Sequence, residues 1–290
     1  GQSMFVLIGY GIVIFSVFGG FIMAGGHIAA LLQPIELLMI FGGGAGAFLV
    51  GNDTKTIRAT IKAMPSVLQG SQYSKKLYMD LLAMMFEILT KIRKDGMMSI
   101  EKDVENPENS VIFGKYPKLL KDHHLIDFIC DYLRLMLSGN MDAFQIENLM
   151  DNDIETHDAE AHIVTHAIAK MADGMPAFGI VAAVMGVVHT MESVGSVPPA
   201  ALGALIAQAL VGTFLGILLG YGFIGPLASL LEQKHAESSK MLQTTKVIMI
   251  ASLNGYAPTI AVEFGRKVLF STERPGFIEL EDHIKEARTK

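Results

Sequence analysis

Two things are scarce in this chain of 290 residues: cysteine and, over long stretches, charge. Cys130 is the one cysteine, which excludes an intramolecular disulfide framework and fits a reducing compartment. Glu36 is the one acidic or basic residue within positions 1–52, and none lies between Glu192 and Glu232. Uncharged stretches of this length exclude a protein that is soluble throughout, and they indicate membrane spans.

Motifs for catalysis and nucleotide binding are also missing. No grouping of Ser, His and Asp, or of Cys and His, points to nucleophilic catalysis. The glycine run at 42–44 lacks the following Lys and Ser or Thr that complete a phosphate-binding loop. The net charge is −6 and no long basic run occurs, which argues against a nucleic-acid partner. We therefore expect no enzyme activity, no cofactor and no nucleic acid.

Four apolar runs are long enough to cross a bilayer, whose ~30 Å core takes about 20 helical residues. They lie at about 5–24, 32–50, 174–191 and 200–231, and the third is expected to start there or one turn earlier. The fourth run is longer than a span needs, so it should tilt or continue beyond the bilayer.

Lysine and arginine give these spans an orientation. The links at 25–31 and 192–199 contain neither residue, whereas Lys55, Arg58 and Lys62 follow the second span and Lys170 precedes the third. Cytoplasmic loops carry the excess of such cations, so the long second link and both termini are predicted to be cytoplasmic.

The predicted fold is an all-α integral membrane protein with a large helical cytoplasmic domain between spans two and three. Apolar residues at helical spacing in 73–94 and 123–138 predict two amphipathic helices, ended by Gly96 and Gly139, and Ser99 is expected to cap a short third helix. The predicted division is 1–3, a cloning remnant before Met4; 4–50, spans one and two; 51–173, the cytoplasmic domain; 174–231, spans three and four; and 232–290, a cytoplasmic C-terminal helix and tail.

Small residues recur at helical spacing inside the spans. Gly212, Gly216 and Gly220 form a stripe in the fourth span, and Gly42 and Gly46 repeat the spacing in the second. Such stripes allow helices to approach closely in lipid, so helix packing is their predicted role.

Prolines and a threonine are the other unusual residues of spans three and four. Pro176 and Pro226 are expected at similar depth on the cytoplasmic side, either as kinks that free a carbonyl or as ordinary helix ends. Thr213 is expected to donate to a carbonyl of its own helix. No acid or base occupies the middle of any span, and an ion relay normally needs one. Either the chain moves no ion, or a partner helix brings a carboxylate.

A histidine-rich segment, DNDIETHDAEAHIVTH, lies before the third span. His162 and His166 are four residues apart, with His157 nearby, and two histidines at this spacing can hold zinc. A solvated helix face is the favoured interpretation, and no metal site is predicted.

Several blocks resemble one protein family. MPAFGIVAAVMGVVH, VGTFLGILLGYGFIGPLA, NGYAPTIAVEFGRK, YMDLLAMMFEILTKIRKDGM, DVENP and DYLRLMLSGNM are similar to the MotA/PomA branch of the MotA/TolQ/ExbB family, the A subunits of flagellar stators. The similarity runs from about Met4 to about Lys285. It implies a multi-pass protein of the bacterial inner membrane, in a pentamer around a MotB dimer. Each MotB-type chain contributes one span with an essential aspartate, and ion flow makes the ring turn against the rotor protein FliG.

The resemblance also assigns roles to single residues. Arg93 and Glu101 correspond to the charged pair that contacts FliG. Pro176 and Pro226 correspond to the prolines that couple ion transit to the cytoplasmic domain, and Thr213 to the threonine at the ion path. Tyr221 has no counterpart drawn from the resemblance; as the polar side chain nearer the inner end of span four, it is expected beside the same ion path.

Ala183 bears on the transported ion. Sodium-driven relatives carry a threonine where this chain has Ala183, and a dehydrated Na⁺ needs several oxygen ligands. H⁺ is therefore expected and Na⁺ less so. The alternatives are a sodium-driven PomA-type stator and an ExbB- or TolQ-type energiser, although those energisers usually have three spans. A secondary transporter should show inverted repeats, which are not evident.

Overall fold

The computed structural model describes residues 2–290, and the side chains from residue 4 onward. Gly1 of the predicted cloning remnant lies outside the described residues. Every regular element within 2–290 is helical and no strand occurs there. Three short 3₁₀ helices lie at Ile28–Ala30, Met97–Ile100 and Pro107–Asn109, and a π-helical segment lies at Leu218–Ile224. The α-helices are α1 (Gln2–Met23), α2 (Pro34–Gly51), α3 (Thr54–Leu68), α4 (Lys75–Asp95), α5 (Glu101–Glu105), α6 (Val111–Gly114), α7 (Pro117–Leu120), α8 (His123–Ser138), α9 (Ala143–Glu192), α10 (Pro199–Ile217), α11 (Gly225–Leu253), α12 (Pro258–Val268) and α13 (Phe277–Arg288).

Four helical stretches are long and apolar enough to cross a membrane: Met4–Met23, Pro34–Gly51, Ala143–Glu192 and Pro199–Leu253. The predicted all-helical architecture is confirmed, with four helices long and apolar enough to serve as spans. The third helix, however, begins at Ala143, far before 174, because the charged residues ahead of the apolar run continue the same helix. The fourth helical stretch continues past 231, to Leu253.

The chain divides into two units. The apolar unit comprises residues up to Ser71 together with Glu160–Lys234, and the polar unit comprises Gln72–Ala159 together with His235–Lys290. The predicted limits after residues 173 and 231 fall inside α9 and α11, so helix ends do not mark them. The division into membrane and cytoplasmic segments stays a prediction.

The described residues of the polar unit share an apolar core, and the buried side of α4, from Leu77 to Leu89, forms part of it. The Ser74 hydroxyl caps the start of α4 by accepting from the Leu77 amide at 3.2 Å, and the helix ends at Gly96, whose φ of 93° favours glycine. α8 ends in the same way at Gly139, with φ of 69°. Both predicted stops are confirmed. Buried members of this core include Leu81, Leu82, Met84, Met85, Ile88, Leu125, Ile129, Leu133 and Ile248.

Two smaller predictions for this unit have different outcomes. Ser99 does not cap a helix: it lies in the 3₁₀ helix Met97–Ile100, and its hydroxyl donates to the Gly96 carbonyl at 2.6 Å. That prediction is wrong because the tight turn after Gly96 uses the hydroxyl for its own closure. Cys130 is buried, and burial raises the pKa of its thiol to about 11, so the group stays protonated and apolar.

Glycines bring α9 and α10 into backbone contact in the apolar unit. A Cβ built on Gly216 would lie 2.5 Å from the Met175 carbonyl oxygen and 2.8 Å from Gly179 Cα. A Cβ on Gly179 would lie 2.7 Å from the Gly212 carbonyl oxygen. No real Cβ tolerates such distances, so only glycine fits. We call Gly179, Gly212, Gly216 and Gly220 the glycine seam. The predicted packing role of the glycine stripe in span four is confirmed.

Span two uses other glycines than predicted. Gly42 and Gly46 have no heavy atom within 4 Å of a built Cβ, whereas a Cβ on Gly43 would meet the Phe178 ring at 2.4 Å and one on Gly44 would meet Met175 Cε at 2.6 Å. The expectation for Gly42 and Gly46 is wrong within this chain, because the rotation of α2 turns the adjacent glycines toward α9.

We expect Gly216→Ala to lower the free energy of unfolding by about 1–3 kcal/mol, the usual cost of overpacking, because the methyl group would push α9 and α10 apart. Gly203 is the matched control, since it lies in α10 with no heavy atom within 4 Å of a built Cβ, and Gly203→Ala should gain about 0.5–1 kcal/mol from helix propensity. Thermal unfolding of the full chain in detergent, followed by circular dichroism, measures both. Equal unfolding midpoints for the two variants would show that α9 and α10 can accommodate a methyl group at Gly216, contrary to the expectation.

Candidate functional sites

Pro176 lies inside α9, so interpreting it as an ordinary helix end is wrong. Having no N–H, it cannot donate to the carbonyl of Ala172 one turn earlier. That carbonyl points at Gly220: a Cβ built there would lie 2.5 Å from the Ala172 oxygen and 2.7 Å from Pro176 Cδ. The freed Ala172 carbonyl and the Pro176 ring therefore occupy the space that a side chain at position 220 would need.

Pro226 follows the π-helical segment Leu218–Ile224 within one helical stretch. It lies six residues beyond Gly220, or roughly 9 Å along a helix, so the two prolines are offset instead of lying level. π-helical turns are rare and cluster at functional sites. Tyr221 lies in this segment with its side chain 62% exposed.

The π-helical segment is also held by a residue that sequence reasoning missed. The Tyr10 hydroxyl of α1 donates to the Phe223 carbonyl at 2.8 Å, and the two rings lie 4.8 Å apart. A tyrosine inside an apolar span needs a partner for its hydroxyl, and that need is the signal that could have identified Tyr10.

Ala183 of α9 and Thr213 of α10 both lie next to Gly212 of the glycine seam. A Cβ on Gly212, the neighbour of Thr213, would lie 3.1 Å from the Ala183 backbone nitrogen. Both Ala183 and Thr213 are half-buried. Thr190 donates to the carbonyl four residues before it at 2.8 Å, but Thr213 makes no side-chain hydrogen bond with any residue in 2–290. The expected bond of Thr213 to its own helix is absent, which leaves its hydroxyl available.

The histidine-rich segment is divided between different surroundings. The rings of His162 and His166 stack at 6.0 Å on an exposed face, while His157 accepts or donates a hydrogen bond with Ser238 at 3.2 Å and contacts the His124 ring. Across residues 2–290 no group of three or more His, Cys, Asp or Glu side chains is placed to hold a metal ion.

Arg93 and Glu101 lie on either side of the Gly96 turn in the polar unit. Arg93 is in the last turn of α4 and Glu101 is the first residue of α5, and both side chains are exposed. Within the described part of the chain neither forms an ion pair or a side-chain hydrogen bond. The fold thus presents two opposite charges to solvent on one corner.

A buried network that sequence reasoning missed fixes this corner. Lys91 Nζ lies 2.9 Å from Asp103 Oδ2, and the Ser110 hydroxyl donates to Asp103 Oδ1 at 2.6 Å. The Asp103 side chain is only 11% exposed, so these two bonds are what compensate its burial. Ser110 also caps α6 by accepting from the Phe113 amide. The capping pattern was readable in the sequence; the burial of Asp103 was not.

Two family descriptions match this chain. Motility protein A N-terminal matches residues 7–96, and the MotA/TolQ/ExbB proton channel family matches residues 121–244. The first match contains Arg93 and the second contains Pro176, Ala183, Thr213 and Pro226.

Individual proteins are similar over almost the whole chain. Motility protein A of Salmonella typhimurium is 57% identical over 98% of this chain and 96% of its own length, and Motility protein A of Escherichia coli is 56% identical over 97% and 95%. The structure of the flagellar MotAB stator complex from Bacillus subtilis contains a chain with the same fold, at a TM-score of 0.75 and 21% identity over 92% of this chain and 97% of that one. This chain therefore belongs to the Motility protein A family, within the MotA/TolQ/ExbB proton channel family.

Proposed function

We propose that this chain is the A subunit of a flagellar stator and that, with a MotB-type partner, it forms a proton channel whose ion flux turns the stator and applies torque to the rotor. The observation that carries this proposal is the 57% identity to a Motility protein A over 98% of the chain. The relatives are motility proteins, and the role proposed here is a channel subunit, not an enzyme.

The missing carboxylate supports a partner. Four helices can span a membrane, yet no Asp, Glu, Lys or Arg occupies the middle of the predicted spans. A proton path through apolar helices needs an ionisable group, so a MotB-type single span should supply an aspartate. We propose a pentamer of this chain around a MotB dimer in the bacterial inner membrane, with both termini and the long second link cytoplasmic.

The seam supports the choice of ion. Ala183 offers no oxygen beside Gly212, and Thr213 offers one hydroxyl that no described residue uses. A dehydrated Na⁺ needs several oxygen ligands, whereas a proton can pass through water and single hydroxyl groups. We propose H⁺ as the ion, with Thr213 and Tyr221 beside its path.

The prolines support a coupling element. Pro176 frees the Ala172 carbonyl against Gly220, and Pro226 follows two residues after the end of the π-helical segment that contains Gly220. Backbone with unmade hydrogen bonds deforms more readily than regular helix. We propose that ion transit bends α9 and α10–α11 at these residues.

The exposed corner supports the rotor contact. Arg93 and Glu101 form no ion pair with any described side chain, while Lys91, Asp103 and Ser110 hold the turn that carries them. Two fixed opposite charges suit recognition of a complementary charged surface, which we propose to be FliG. An ExbB- or TolQ-type role is less favoured, because the Motility protein A N-terminal match covers the segment that includes Arg93.

Proton dependence tests the proposed function as a whole. In cells whose motility depends on this chain and its MotB-type partner, swimming should stop on addition of a protonophore and should be unchanged when K⁺ replaces Na⁺. Swimming that follows the Na⁺ concentration and survives the protonophore would contradict a proton-driven stator.

Arg93→Glu should reduce stall torque severalfold while leaving assembly and ion flux intact, because the side chain is exposed and outside the spans. Bead assays measure the torque, and acidification of cells carrying an unplugged complex measures the flux. Lys118→Glu, at an exposed cation of α7, is the matched control and should keep full torque. A parallel loss of flux in Arg93→Glu would rule out a role confined to rotor contact.

Pro176→Ala should leave membrane insertion normal and slow swimming, because an N–H at this position can bond the Ala172 carbonyl and stiffen α9. Pro199→Ala is the matched control: Pro199 is the first residue of α10, where a missing N–H costs nothing. Membrane fractionation and swimming speed are the measurements. Normal swimming in Pro176→Ala would show that the proline does not couple.

A further inference from the structure

α3 begins where the second candidate span ends. α2 ends at Gly51 and α3 starts at Thr54, with Asp53 between them accepting the Thr56 amide at 2.8 Å as the N-cap. The chain therefore turns from a membrane-spanning helix into a 15-residue amphipathic helix within two residues.

One face of α3 is fixed against the rest of the apolar unit. Val67 is buried with Val164 and Ile168 of α9 and with Ala228 and Leu231 of α11. The Lys234 ammonium donates to the carbonyls of Ser66 and Gln69 at the end of α3, where the Gln69 amide also donates to the Ser66 carbonyl. Because this face is packed and its last turn is held, the rotation of α3 about its axis is set.

The opposite face is exposed, and its composition is unusual. Arg58, Ile61, Lys62 and Pro65 are spaced i, i+3, i+4 and i+7, so they share one side of the helix. Ile61 is 64% exposed and Leu68, two turns further, is 47% exposed. The outward residues are Lys55, Arg58, Ile61, Lys62, Pro65 and Leu68.

The charge on this face is of one sign. Lys55, Arg58 and Lys62 are all exposed, the helix contains no acidic residue, and none of the three cations forms an ion pair with a residue in 2–290. In water such a face would expose two large aliphatic side chains beside three cations, of which only Lys55 lies near a carboxylate, that of the N-cap Asp53. At a bilayer surface the aliphatic side chains can enter the acyl boundary while the cations reach the headgroups.

We propose that α3 docks on the membrane and binds anionic phospholipid headgroups of the leaflet at the C-terminal end of α2. Continuity with α2 places its first turn next to that leaflet. Three cations match the negative headgroups, and Ile61 and Leu68 supply the apolar contact. Its fixed inner face presents this surface permanently, so anionic lipid is a structural ligand of the apolar unit.

Lipid selectivity tests this proposal. The full chain, co-purified with its MotB-type partner, is reconstituted in phosphatidylcholine vesicles containing spin-labelled phosphatidylglycerol or spin-labelled phosphatidylcholine. Electron paramagnetic resonance measures the fraction of each label that the protein restricts. The unchanged protein should restrict phosphatidylglycerol preferentially. The triple variant Lys55→Gln, Arg58→Gln, Lys62→Gln should lose that preference. Each removed cation should lower the relative affinity for phosphatidylglycerol by up to about fivefold.

The matched control removes three exposed lysines of the polar unit, as Lys118→Gln, Lys121→Gln and Lys285→Gln, and should keep the preference. High salt should weaken it in the unchanged protein, because headgroup contacts are screened. Equal restriction of both labels by the unchanged protein, or an undiminished preference in the triple variant, would overturn the proposal. If the triple variant does not fold, Arg58→Gln alone should lower the preference, and an unchanged value would overturn it.

Discussion

The close approach of α9 and α10 is the constraint on which the apolar unit depends. Gly179, Gly212 and Gly216 put one backbone against the other. At Gly179 and Gly216 a methyl group would overlap a neighbouring backbone atom, and at Gly212 it would lie only 3.1 Å from the Ala183 nitrogen and the Gly179 carbonyl oxygen. Lipid gives helices no hydrophobic reason to associate, so dense van der Waals contact must hold the pair. A seam built this way allows one register only, because any shift would bring larger side chains into the gap.

That register places the functional candidates. It brings the Pro176 ring to Gly220 and the free Ala172 carbonyl to the same point, and it sets Ala183 beside Gly212. Gly220 lies where two opposite properties meet. Its close contact with α9 fixes the two helices against each other, while the π-helical segment that contains it makes the backbone ahead of Pro226 less regular. A rigid pair with one deformable stretch can bend at that stretch without losing its register.

The polar unit follows a different physical rule, because charged side chains are frequent on its surface. Arg93 and Glu101 are exposed at a turn whose geometry comes from Gly96 and from the bonds of Lys91 and Ser110 to the buried Asp103 carboxylate. Exposed charges are individually worth little to stability, so this pair costs the fold almost nothing to keep unpaired. The buried network instead fixes the backbone turn from which the two side chains extend.

The sequence by itself determined the features that depend on local chemistry: four apolar helical stretches, the helix stops at Gly96 and Gly139, and the blocks that resemble the stator family. Hydropathy and the preference of a left-handed helix end for glycine depend on a few neighbouring residues, so both can be recognised from the sequence alone. Only the tertiary structure decided that Gly43 and Gly44, not Gly42 and Gly46, face α9, and that Asp103 is buried in a network. Which face of a helix meets a neighbour depends on its rotation and on what lies opposite, and neither is encoded in spacing alone.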